Sequence, residues 1–127
     1  MPHRVVAAAL LVAALGACTR HTDPGPGAPC DAVGAKFAMV ARADLAAQKD
    51  LADDVRAGVD GLIAPMRDGM VRACKDGGWA APARDCFAAA GDERAMKACY
   101  AALTADQRGA LDRAAAGSAA DTDPARR

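Results

Sequence analysis

Histidine is nearly missing from this chain: of 127 residues only His3 and His21 carry an imidazole, and both stand near its start. A histidine acting as general base or nucleophile activator is therefore unavailable to everything downstream. Aromatic residues are almost as scarce, with Trp79, Tyr100, Phe37 and Phe87 the full set, so stacking platforms for bases or sugars are excluded. Charge of one sign is lacking too: 16 basic residues balance 16 acidic ones, for a formal net charge of +0. Without clustered Lys and Arg to release counterions, no nucleic-acid partner is expected. β-Branched residues are sparse, no long alternating run appears, and no apolar stretch reaches the roughly 20 residues of a membrane-spanning helix. Alanine, at roughly a quarter of the chain, favours helices that pack closely.

The first residues carry an address. Arg4 and the terminal amine make a short positive region, and Val5 to Leu15 follow as an apolar stretch of about 11 residues. That length suits the hydrophobic part of an export signal. Next comes Leu15-Gly16-Ala17-Cys18, which resembles the lipobox of bacterial lipoproteins. The resemblance implies a diacylglycerol group on the Cys18 thiol, cleavage between Ala17 and Cys18, and acylation of the new N-terminus. The competing reading is an ordinary secretory signal whose cleavage site lies beside a cysteine. Several acyl chains hold a protein stably on a membrane where one chain binds only marginally. Thr19 follows Cys18, where an Asp would resemble the inner-membrane retention signal, so the outer membrane is the expected destination in a Gram-negative source. The chain then divides into a signal peptide (1–17), a Pro/Gly-rich tether (18–29), a helical four-Cys domain (30–117) and a disordered tail (118–127). Residues 19–29 (TRHTDPGPGAP) reach on the order of 35 Å when extended.

The domain reads as all-α, a small bundle of four or five helices. Leu51, Val55, Val59, Leu62, Ile63, Met66, Met70 and Cys74 recur at spacings of three and four, with charged residues between them. Pro65 within this stripe predicts a kink or break near Ala64-Pro65. Val33, Phe37, Val40 and Ala41 mark a shorter helix from about Asp31 to Ala47. Gly77-Gly78 suit a left-handed cap, Pro82 the first turn of a third helix, and Gly91-Asp92 a stop followed by an N-cap. A fourth helix carries Met96, Cys99, Tyr100 and Leu103, and the capping box Thr104-Ala105-Asp106-Gln107 opens a fifth.

With Cys18 given to lipid, Cys30, Cys74, Cys86 and Cys99 remain, an even number in an exported domain, which points to two disulfides. Cys30 precedes the first helix and Cys74 lies near the end of the second, so an antiparallel hairpin would bring them together and leave Cys86 for Cys99. Pairing Cys74 with Cys86 and Cys30 with Cys99 is the alternative that spacing leaves open. Zinc would require ligands in close pairs, and no C-x-x-C exists for thiol exchange or haem attachment. Asp50, Asp53 and Asp54 read as a solvated helix start. Met39, Met66, Met70 and Met96 raise copper, since thioethers suit Cu(I), although Met on an apolar stripe ordinarily fills core gaps.

Trp79 and Arg84 are the candidate binding pair. The run from Trp79-Ala80-Ala81-Pro82-Ala83-Arg84-Asp85-Cys86 through Cys99 to Leu103-Thr104-x-x-Gln107 is similar to the C-terminal part of a group of small exported four-Cys helical proteins with no assigned activity. Trp79 is expected over a helix junction, with Arg84 stacking on it or capping carbonyls. These observations together predict a lipid-anchored envelope protein without catalytic residues or cofactor, acting as an interaction or structural module with an envelope partner. The alternative is a small-molecule or copper carrier using the Met-bearing face.

Overall fold

The computed structural model describes residues 25–121, and the expected signal peptide (1–17), Cys18 and residues 122–127 lie outside them. Among the described residues there are five α-helices and no strand: α1 (Cys30–Ala47), α2 (Asp53–Asp76), α3 (Ala81–Ala89), α4 (Glu93–Ala98) and α5 (Ala105–Asp121), with a 3-10 turn at Cys99–Ala102. No helix here is long and apolar enough to cross a membrane.

Helices α1 and α2 form an antiparallel hairpin closed at both ends. At its open end Cys30 and Cys74 are joined by a disulfide with their Cα atoms 5.8 Å apart. At its tip the Arg56 guanidinium donates to the carbonyls of Leu45 and Gln48, both at 2.6 Å, and so caps the C-terminal end of α1, where the Leu45 carbonyl also accepts the Gln48 N–H. Ala38, Leu45 and Ile63 bury a small cluster beneath that turn. The helices approach closely at Gly34, where an added Cβ would overlap the Val71 side chain.

Helix α2 continues through Pro65, so that of the kink or break expected there the break does not occur. Proline removes the bond to the Gly61 carbonyl, but Gly61 is exposed and water can take that oxygen. Beyond Pro65 the helix is held on two sides, because α5 lies antiparallel along it. Gln107 Nε2 donates to the Gly77 carbonyl at 2.9 Å near one end, and the buried Ser118 hydroxyl lies 3.3 Å from the Pro65 carbonyl near the other. Small side chains permit this contact, with Gly69 against Ala114 and Ser118. Residues 118–121, expected in the disordered tail, are therefore helical, and Ser118 is buried.

Two sequence-legible caps shape the rest. Gly78 adopts φ +55°, and the Trp79 N–H bonds the Cys74 carbonyl while the Gly78 N–H bonds that of Lys75, a Schellman arrangement. Thr104 and Gln107 form the reciprocal capping box, at 2.9 and 3.2 Å. Turning the chain at Gly78 drives Trp79 inward, where it is fully buried against Phe87 with ring centroids 5.2 Å apart. Phe87 in turn meets Tyr100 edge-on at 5.9 Å. The Cys86–Cys99 disulfide ties α3 to the 3-10 turn beside this aromatic stack. The main core thus gathers Val33, Met70, Trp79, Phe87, Met96 and Leu111 from all five helices and from the connection after α2.

Candidate functional site

Of the residues singled out in the sequence, Cys18 lies outside the described residues, and the four domain cysteines are spent in the two disulfides. Trp79 and Arg84 do lie together, but neither is open to a ligand. Both are 0% exposed. Arg84 acts as an internal clamp: its Nε donates to the Trp79 carbonyl at 3.0 Å, Nη1 to Ala28 at 2.9 Å, and Nη2 to Pro26 at 3.0 Å and Gly25 at 3.4 Å. Next to it, Asp85 Oδ1 accepts the Ala28 N–H at 2.7 Å. The planar fork of arginine suits a task that a flexible ammonium would perform poorly. Gly27 completes the fit, because at φ +121° it brings the strap so near α3 that a Cβ would stand 2.8 Å from Ala81 Cβ.

The last five residues of the expected tether, Gly25 to Pro29, are thus bound to the domain. Sequence reading missed this. The available signal was Arg84 itself, three positions before the buried Phe87 and so on the inward face of α3.

Among the described residues, the apolar stripe of α2 leads to two adjoining cavities with mainly apolar linings. Phe37, Met66, Met70, Met96, Tyr100 and Leu111 line a cavity of about 200 Å³ between α1, α2, the α4 segment and α5. A second cavity of about 280 Å³ adjoins it, sharing Phe37, Met66, Glu93 and Met96 and adding Val40, Val59, Leu62 and Ile63. The pair forms a continuous groove. Val59, which lines the second cavity, is 39% exposed, and Val55, one turn earlier on α2, is 47% exposed. The α5 helix is hydrogen-bonded to α2 near Pro65 and near Gly77, and the first turns of α2 lie before those contacts.

Charge gathers at the rim of this groove. Glu93 accepts a hydrogen bond from Lys97 at 2.6 Å, and that bond, with help from the nearby Asp44 carboxylate, raises the Lys97 pKa above its ordinary value. Burial raises the Tyr100 pKa, with a further contribution from the Asp112 carboxylate. Two other clefts are charged but mixed in sign, one pairing Arg72 and Arg113 with Asp76 and Asp106, the other Arg42 and Arg67 with Asp31 and Asp68. Neither presents a field of one sign. Among the described residues, no three His, Cys, Asp or Glu side chains converge as metal ligands would. Set against known protein families, curated proteins and solved structures, the chain matches none of them.

Proposed function

We propose that this chain is a lipid-anchored, non-enzymatic interaction module of the cell envelope, held to its membrane through Cys18 and meeting its partner at the groove of α1 and α2. The observation that carries the reading is the groove itself: a domain stapled by two disulfides leaves Val55, Val59, Leu62 and Met66 along one uncovered side. Exposed apolar surface of this kind on a small domain commonly marks an interaction site. Supporting the anchor are the lipobox-like Leu15-Gly16-Ala17-Cys18 and the short apolar stretch before it, and Thr19 supports the outer membrane as destination. A photocrosslinking residue at Val59, compared in intact cells with one at the exposed Ala101, tests the module. The groove probe gives discrete protein adducts that the Ala101 probe does not; equal yields from the two positions remove the support.

A carrier is the second reading, favoured by one observation: Met66, Met70 and Met96 line the same cavity. Three thioethers can serve Cu(I). Native mass spectrometry of the protein with Cu(I) under reducing-compatible conditions decides it, one bound copper lost in Met66→Leu being the expected result and absence of bound copper the contrary one.

A further inference from the structure

We propose that the Cys86–Cys99 bridge is a redox-sensitive latch: exchange with a dithiol opens it while Cys30–Cys74 stays closed, and the segment from Glu93 to Ala102 then moves away from the cavities it walls. The device belongs to the fold and needs no partner at the groove. The two bridges differ in access. Cys30 and Cys74 are both 0% exposed, so a thiolate reaches neither sulfur until the hairpin itself opens. Cys99 is 2% exposed, but its partner Cys86 is only partly buried. Thiol–disulfide exchange requires access of a thiolate to one sulfur, and exposed bridges are the labile ones. Attack therefore falls on Cys86. One thiolate of the dithiol bonds to the Cys86 sulfur, and the S–S electron pair leaves on Cys99, which takes up a proton. The second thiol then displaces the Cys86 thiolate, which is protonated in turn, leaving two cysteine thiols and an oxidised dithiol.

The bridge holds a segment poorly able to hold itself. Helix α4 has 6 residues and the 3-10 turn 4, short of the roughly 12 that an isolated helix needs in water. Its polar contacts are short-range: Asp92 caps Ala95, Lys97 meets Glu93, and Arg108 reaches the Tyr100 carbonyl. Inward contact comes from Met96, Cys99 and Leu103, with Tyr100 edge-on to Phe87. Gly91, exposed and with nothing within 4 Å of an added Cβ, precedes the segment as a hinge. Elements with few buried contacts are the first to open. Glu93 and Met96 wall both cavities, and Lys97 and Tyr100 wall the smaller one. The other walls keep their own supports. Helices α1 and α2 retain the Cys30–Cys74 bridge, α5 its bonds to the Pro65 and Gly77 carbonyls, and α3 the Arg84 clamp.

The test uses the full chain, with any free Cys18 thiol blocked beforehand, and graded dithiothreitol under native conditions. Alkylation and peptide mapping are expected to show Cys86–Cys99 reduced about ten-fold faster than Cys30–Cys74. A monothiol trapped early by acid gives a mixed disulfide on Cys86. In the form with that bridge alone open, hydrogen exchange of amides 95–103 quickens about ten-fold and the fluorescence of an apolar-surface dye rises, while exchange in α1 and α2 holds. C86S/C99S gives the same exchange pattern and dye signal with no reductant. Reduction of both bridges at one rate, an adduct on Cys99, or an opened form whose exchange at 95–103 and dye binding match the oxidised one each overturns the inference, as does loss of helical signal throughout that form.

Discussion

The guanidinium of Arg84 reaches the carbonyl of Ala28, 56 positions earlier in the chain, at 2.9 Å, and the whole arginine is sealed from solvent in doing so. The start of the domain is thus fixed by a charge in its interior.

Arg84→Lys keeps the charge and loses the fork. The buried Trp79 carbonyl and part-buried carbonyls of the strap then lose charge-assisted donors, each worth about 1.5–3 kcal/mol when buried and less where water can replace them. Urea denaturation is expected to show a loss of about 3 kcal/mol, and hydrogen exchange of the Ala28 amide should quicken while that of α2 near Met70 holds. An unchanged midpoint with unchanged exchange at Ala28 contradicts the clamp.

Two glycines in the hairpin respond in opposite directions to alanine. Replacing a helical Gly by Ala gains roughly 0.5–1 kcal/mol where space is open. Gly58 has nothing within 4 Å of an added Cβ, so Gly58→Ala stabilises. Gly34→Ala pushes into Val71 and against Arg67, and overpacking of about 1–3 kcal/mol outweighs the helical gain. Paired thermal melts check the sign of each.

The disulfides differ in the loops they close. The Cys30–Cys74 bridge spans 44 positions and Cys86–Cys99 spans 13, for which the chain-entropy treatment gives about 4 and about 3 kcal/mol. Double Ala substitution of the first pair should therefore cost more than that of the second. Equal losses in denaturation would mean that strain or residual structure dominates.

Tyr100 sets an alkaline limit. Its pKa is raised in the fold, first by burial and then by Asp112, so the neutral phenol is the form the fold prefers. This contribution is complete below the unfolded value of about 10 and is lost as pH climbs through the folded one. The melting temperature of Tyr100→Phe should fall less steeply above pH 10 than that of the parent chain; parallel curves exclude the effect.

Anchoring is tested at Cys18. Cys18→Ser should abolish fatty-acid labelling and release soluble or unprocessed protein. A mature N-terminus at any residue other than a lipid-bearing Cys18 contradicts the anchor.

Local signals made much of the fold legible. The helical stripe of α2, the Gly77-Gly78 turn, Asp92 capping Ala95 and the Thr104/Gln107 box are all short-range chemistry, and they stand where spacing put them. The pairing of cysteines followed from the hairpin that those helices imply. What stayed hidden was non-local. Composition alone made Gly25 to Pro29 a loose linker, because nothing within it announces an arginine 56 positions on; Pro65 suggested a break that packing by α1 and α5 overrides. The groove was half visible, since periodicity identified the apolar face of α2 without saying where along it α5 is bonded.

The strap under Arg84 also sets a leash. With Gly25 already fastened, a lipid carried on Cys18 would be separated from the body of the domain by residues 19–24 alone, a span of at most about 25 Å instead of the 35 Å of a free tether. The leash joins at the Cys30 end of the hairpin, and α1 rises from there for 18 residues, about 27 Å, to the Gln48 turn. Val55 and Val59, on the first turns of α2 beyond the Gln48 turn, therefore lie toward the opposite pole of the hairpin from the point where the strap is fastened.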